Sequence, residues 1–172
     1  MSKIIVYSRP SFEGRSAEFM YDVSNLAEKG FDNSIASIKV IGEPWVAYYD
    51  KKFAGKQQVF EQGEYATFED KDKFSSLKKV TADLTDPEIQ LFEHVNYGGR
   101  SVILRKETNL QEITFSNIAS SHKVTRGVWV LYDGINRQGF QLIAFPGEQV
   151  SNYGALCFNN KASCVRPLLP RP

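Results

Sequence analysis

An all-β fold, a sandwich or barrel of many short strands, is what this chain predicts, and three observations predict it. Short runs rich in Val, Ile, Tyr and Phe (KIIVY, WVAYY, QQVF, SVIL, VWVLY, FQLIAF) recur between turn residues at roughly even spacing, the pattern of half-buried strands. An aromatic–glycine pattern occurs four times: Tyr7, Phe12 and Gly14; Tyr48, Phe53 and Gly55; Phe92, Tyr97 and Gly99; and Tyr132, Arg137 and Gly139, with arginine in the second aromatic slot. The copies start 41, 44 and 40 residues apart, so the chain repeats one supersecondary unit. Helical periodicity is weak, and single helical turns are expected only within 23–29 and 109–112.

The repeat spacing has a structural reading. Strand side chains alternate faces with period two. An aromatic, a second one five residues on and a glycine two later do not fit one flat strand. They fit a strand that folds over into a hairpin, where glycine takes positive φ. The missing side chain is expected to leave room for an aromatic ring to lie on the backbone. A phosphate-cradling glycine loop would need a helix after the glycine, and no helical pattern follows any of the four.

The repeats pair. Trp45 stands three residues before Tyr48 and Trp129 three before Tyr132, whereas repeats 1 and 3 lack a tryptophan there. Repeats 1 and 2 therefore form one unit, and repeats 3 and 4 a second. The boundary falls near 84–88, LTDPE, where Pro87 interrupts strand pairing. The segment 168–172, LLPRP, is too proline-rich to join a sheet.

Composition narrows the function. The net charge is +1, with both signs spread along the chain, which argues against nucleic acid as a partner and against a polybasic membrane anchor. No apolar stretch approaches the roughly 20 residues that span a bilayer, and none has the long alternation of a membrane-inserting hairpin. The opening MSKIIVYSRP has a four-residue apolar run, short for a signal-peptide core. The expectation is a cytoplasmic protein, with non-classical export open. Cys157 and Cys164 are read as free, partly buried thiols.

Each repeat leads, about 20 residues after its glycine, into a serine-containing turn and a final strand: DNSIASIKV, KDKFSSLKKV, SNIASSHKV and NNKASCVRPL. With the aromatic–glycine signature, these turns make the chain resemble the βγ-crystallin superfamily over nearly its whole length. Within it, the chain is similar to non-lens members such as amphibian epidermis-differentiation-specific proteins and the crystallin portion of aerolysin-like pore-forming proteins. The resemblance implies two domains, each of two Greek keys folded into a pair of four-stranded sheets. It places domain 1 at 1–84 (Greek keys 3–42 and 44–84), a linker at 85–88, domain 2 at 89–167 (Greek keys 89–126 and 127–167) and a tail at 168–172.

The same turns resemble the family's calcium motif: two Asn/Asp, two variable residues, Ser/Thr, then Ser. Calcium takes hard oxygens from carboxylates, amides, carbonyls and hydroxyls, and the family's paired motifs exchange ligands. Repeat 1 has Asp32 and Asn33 but Ala36 in the hydroxyl slot. Repeat 2 keeps Asp72 and Ser75, with Lys71 first. Repeat 3 keeps Asn117 and Ser120. Repeat 4 keeps Asn160 and Ser163, with Cys164 last. Carbonyls of Ser34, Lys73, Ile118 and Lys161 take the backbone slot, and a carbonyl such as that of Glu93 or Tyr49 completes a shell. Three of four motifs keep their side-chain pair, and the second domain is intact in both. Only Asp72 adds formal charge among those three, so binding is expected to be weak, on the order of 10⁻⁴ to 10⁻³ M or somewhat tighter. Asn, Asp and Ser also build such turns by bonding their own backbone, so a purely structural turn stays open.

No HExxH, CxxC or GxSxG occurs. His94 and His122 read as solvated strand histidines, and Glu61, Glu64, Glu69 and Asp70 as a solvated face. Tyr65 of Gly63-Glu64-Tyr65 resembles the family's corner tyrosine, and Gln149 of Gly147-Glu148-Gln149 departs from it. The function expected is a non-enzymatic, calcium-binding structural module, monomeric or a domain-paired dimer. The alternatives are a regulatory subunit acting with a pore-forming protein partner, and an inert lens-type protein.

Overall fold

The computed structural model describes residues 2–156 and 161–170. The chain divides into two compact units, Met1–Thr81 and Ala82–Pro170. Unit 1 holds β1 (Lys3–Arg9), β2 (Glu13–Phe19), β3 (Ser37–Ile41), β4 (Trp45–Asp50), β5 (Ala54–Phe60), β6 (Gly63–Tyr65) and β7 (Ser76–Lys79). Unit 2 holds β8 (Glu88–His94), β9 (Gly98–Leu104), β10 (Thr108–Asn109), β11 (Ser121–Arg126), β12 (Trp129–Tyr132), β13 (Gln141–Ala144), β14 (Gln149–Val150) and β15 (Cys164–Pro167). Both stretches expected to turn helically do so, as single 3-10 turns at Leu26–Lys29 and Leu110–Ile113.

Each unit is a pair of antiparallel sheets, and each repeat lends a strand to its partner. One sheet of unit 1 runs β2-β1-β3-β6, so β6 of repeat 2 completes the sheet of repeat 1. The other runs β5-β4-β7, and Val23 of repeat 1 bridges to Leu77 on β7. Unit 2 repeats the arrangement as β14-β11-β8-β9 and β10-β15-β12-β13. These are intercalated Greek keys. The exchange leaves neither repeat with a complete sheet of its own, which makes the pair the folding unit.

The cores follow strand alternation. On β1, Ile5 and Tyr7 alternate outward and are half-buried, while Ile4 and Val6 are fully buried. Ile4 and Val6 join Leu26, Ile38, Trp45, Phe60 and Phe74 in one apolar cluster. Leu91, Leu110, Phe115, Trp129, Leu131 and Tyr153 build the counterpart in unit 2. Truncating one such Leu or Ile to alanine costs about 2–5 kcal/mol, and a one-residue slip of β1 would turn Ile4 and Val6 out of the core.

The hairpins explain the repeated spacing. β1–β2, β4–β5 and β8–β9 each shift register at the fold, between Tyr7 and Arg9, Tyr48 and Asp50, and Phe92 and His94. Two consecutive residues turn left-handed at each tip: Ser11 and Phe12, Lys52 and Phe53, Asn96 and Tyr97, Asn136 and Arg137. The aromatic pair then meets edge to face, with centroids 5.6, 5.8 and 5.5 Å apart in repeats 1–3. The repeat glycines have φ of +80°, +82°, +74° and +86°. What crowds them is not the ring of a repeat's Tyr or Phe, as expected, but a polar side chain of the opposite strand: Ser8, Asp50, His94 and Asp133. In unit 1 each tip is tied to the partner repeat, with Ser11 N–H donating to the Ala66 carbonyl and Lys52 N–H to that of Ser24, both at 2.8 Å.

Candidate metal centre

The serine turns of a unit lie against each other, and their residues cross over. In unit 2, Ser163 Oγ of repeat 4 donates to Asn117 Oδ1 of repeat 3 at 3.0 Å and lies 3.3 Å from the carbonyl oxygen of its own neighbour Lys161. Asn117 N–H donates to the Ala162 carbonyl at 2.9 Å. In unit 1, Ser75 Oγ of repeat 2 lies 3.5 Å from Asn33 Oδ1 of repeat 1, and Asn33 N–H donates to the Phe74 carbonyl at 2.9 Å. Asp72 N–H turns the other way, to the Ile35 carbonyl at 2.8 Å, beside Ala36. Asn33, Asp72 and Asn117 all take left-handed φ, at 51°, 63° and 60°. Asn and Asp tolerate that region better than other side chains do.

Crossing changes which residues of the motifs face one another. Ser75 pairs with Asn33 rather than with Asp72 of its own motif. Asp72, the one formal charge in the three intact motifs, faces the repeat whose hydroxyl slot is Ala36. Asn160 lies outside the described residues, as does Cys157. Ser75, Ser120 and Ser163 are buried, whereas Asn33, Asp72, Lys73, Asn117 and Lys161 are exposed. Ser34 and Ile118 are half-buried. The β8–β9 ladder skips Glu93, whose carboxylate accepts from Arg100 N–H at 3.1 Å. Among the described residues no group of three or more His, Cys, Asp and Glu side chains converges; in unit 2 the oxygens that gather are amide, hydroxyl and carbonyl.

The last serine of the motif does different work. Ser37 Oγ donates to the Arg9 carbonyl at 2.6 Å and accepts from Phe12 N–H at 3.0 Å. Ser76 makes the same pair with Asp50 and Phe53, and Ser121 with His94 and Tyr97. Each therefore clamps a left-handed hairpin tip rather than facing its partner turn. Cys164 stands at this position in repeat 4, free and buried. Burial pushes its thiol up, while the Arg137 and Asn136 backbone N–H groups favour the thiolate.

Three expectations need correction. His94 is solvated, with its side chain 67% exposed, but His122 is fully buried. It occupies the core-facing position that Ile38 holds in unit 1. Its Nδ1 is 2.7 Å from Tyr153 Oη and its Nε2 3.4 Å from Glu148 Oε1. Burial and then the Glu148 charge push the Tyr153 phenol well up. Second, Asp70 is no surface charge: its side chain is 13% exposed, and it accepts from Tyr49 Oη at 2.6 Å and Lys56 Nζ at 3.2 Å. Third, Tyr65 makes a corner through Oη to the Glu61 carbonyl at 2.7 Å, yet its counterpart is not Gln149. Ile38 pairs with Tyr65, and His122 with Val150, so the equivalence is shifted by one residue. The corner tyrosine is absent from unit 2, where Tyr153 reaches His122 instead.

Paired Greek keys that exchange a strand and a turn define a β-sandwich module of crystallin type. The Beta/Gamma crystallin family model matches residues 3–80 and 88–168. The chain belongs to that family. It is 40% identical over 168 residues to the epidermal differentiation-specific protein of Cynops pyrrhogaster, covering 98% of this chain and 50% of that protein. Human beta-crystallin B1 is 32% identical over 154 residues, covering 85% of this chain and 61% of that one. The chain thus spans between half and two thirds of the length of these relatives. Of solved structures, a beta gamma crystallin from Ciona intestinalis is 29% identical, with TM-score 0.44, over 45% of this chain and 99% of that one.

Proposed function

We propose that the chain is a non-enzymatic structural module whose crossed serine turns bind calcium. The observation that carries the reading is the oxygen cluster of unit 2. Calcium ligands lie roughly 2.3–2.6 Å from the ion, so neighbouring ligands stand about 2.6–3.7 Å apart. Ser163 Oγ keeps 3.0 Å to Asn117 Oδ1 and 3.3 Å to the Lys161 carbonyl, and the Asn33–Ser75 separation of 3.5 Å also fits. A cation there would take the hydroxyl's lone pairs in place of the hydrogen bond it now donates. The exposed amides leave the remaining positions to water and to carbonyls such as those of Ile118 and Glu93. Neutral ligands predict weak affinity, on the order of 10⁻⁴ to 10⁻³ M.

Bound calcium would tie one repeat's turn to its partner's, at the place where the repeats already exchange strands. Since the unfolded chain has no assembled site, saturation at about 100 Kd would add roughly 2.7 kcal/mol to stability. Calorimetric titration of calcium into chelator-stripped protein, beside thermal melts with and without calcium, tests this. Saturable heat with a raised Tm supports it. Neither heat nor shift would leave the turns as hydrogen-bonded structural corners, the inert reading.

A further inference from the structure

We propose that the cation following the repeat glycine is a positioning residue for the adjoining calcium turn, an inference that rests on the calcium reading above. Arg15, Lys56 and Arg100 follow Gly14, Gly55 and Gly99, and repeat 4 has Phe140 after Gly139. Each cation reaches out of its hairpin to the segment just ahead of the amide or carboxylate in its own repeat. Arg15 Nη1 donates to the Gly30 carbonyl at 2.7 Å, three residues before Asn33. Arg100 Nη2 donates to the Thr114 carbonyl at 2.8 Å, three residues before Asn117. Lys56 Nζ donates to Asp70 at 3.2 Å, two residues before Asp72.

In the odd repeats the grip has a second part. The Arg15 guanidinium lies 4.7 Å from the centroid of Phe31, and that of Arg100 5.1 Å from Phe115. Both rings are buried at the core end of the turn. The carbonyl that each arginine holds belongs to the left-handed cap of a 3-10 turn, Gly30 at φ 75° and Thr114 at φ 55°. Threonine is β-branched and disfavoured there, so Thr114 needs outside support to keep this conformation. Arg100 supplies it, and the held chain runs directly into Asn117.

Electrostatics make the role testable by sign. A guanidinium close to a calcium site repels the ion, so removing the charge would tighten binding if charge were its only effect. A positioning role predicts the reverse. Supporting partners outside the ligand shell typically contribute 10–100-fold to metal affinity. The experiment is calcium titration of the full chain by calorimetry, comparing the parent, Arg100→Met, Arg100→Lys and Ser163→Ala, with melts in chelator alongside. The result expected is about tenfold or greater weakening at the unit 2 site in Arg100→Met, identified as the site lost in Ser163→Ala. Arg100→Lys, which keeps a donor and the charge, should retain more of the affinity. Should Arg100→Met not fold, weakened binding in Arg100→Lys supports the positioning role in its place. Binding as tight as the parent's, or tighter, in the arginine variants overturns the positioning role while leaving the calcium site standing. A parent that binds no calcium overturns both, and that outcome is read before any variant is made.

Discussion

Ser163 donates its hydroxyl hydrogen to Asn117 across 3.0 Å, although the two stand 46 positions apart in the chain. This link, and the Asn33–Ser75 approach that mirrors it, makes each turn half of a site. A repeat's own motif is therefore the wrong unit for counting ligands. Asp72 and Ser75, three residues apart, serve different partners.

Double-mutant cycles test the crossing. Asn117→Ala and Ser163→Ala should each reduce the calcium-induced rise in Tm, and the double variant should do little more than either. Coupling of about 0.5–3 kcal/mol is usual for groups sharing a partner. Asp72→Ala and Ser75→Ala should instead add, within about 0.3–0.5 kcal/mol. Additivity at Asn117 and Ser163, read from melts at saturating calcium, would refute the shared site.

Ala36 marks where unit 1 is incomplete. Its N–H donates to the Tyr7 carbonyl at 2.8 Å, the same bond that Ser75, Ser120 and Ser163 make to Tyr48, Phe92 and Tyr132. The backbone is thus already placed for a hydroxyl opposite Asp72. Ala36→Ser should strengthen calcium binding by unit 1, and a carboxylate with a hydroxyl should make that site the tightest in the chain. Without calcium the new hydroxyl is a buried polar group and should cost about 1 kcal/mol. An unchanged titration would mean that Asp72 does not face this slot.

Much of this was legible because four copies average out local ambiguity. The hairpins, the pairing of repeats and the serine turns follow from spacings that recur around Gly14, Gly55, Gly99 and Gly139. What was not legible depends on partners far along the chain. That Ser121 clamps the tip at His94 and Tyr97 while Ser120 belongs to the turn is set by strand register, and adjacent serines look alike in sequence. His122 reads as a polar strand residue until the β11–β14 register places it opposite Val150, over Tyr153. The cations after the glycines did carry a signal, a basic residue in three repeats of four. Surface strands are so often charged that the recurrence stood out only once their acceptors were known.

Thr114 invites a stabilising change. A non-glycine residue in the left-handed region costs roughly 1–2 kcal/mol, and the counterpart in unit 1 is Gly30. Thr114→Gly removes that strain, at the expense of the Oγ1 bond to the Ile113 carbonyl and some chain entropy. A net gain of about 0.5–1 kcal/mol should raise the Tm of unit 2 by a few degrees. A lower Tm in calcium-free buffer would mean that the hydroxyl outweighs the strain.

Alkaline pH should unfasten unit 2 through Cys164 and Tyr153. Both groups have folded-state pKa values above their ordinary 9.0 and 10.0, chiefly because burial disfavours the charged form. Where the unfolded chain has lost a proton that the folded one keeps, stability falls as pH rises. The contribution of Cys164 is therefore complete below pH 9.0 and is lost as pH climbs through the higher folded value. Tyr153 adds a second loss beginning near pH 10.0. Cys164→Ser should flatten the decline of Tm above about pH 9, leaving the later fall in place. Tyr153→Phe should remove the later fall, while lowering Tm at every pH because the bond to His122 is gone. The reading is the slope of Tm against pH rather than its level. Unchanged slopes in both variants would place the alkaline transition in other groups.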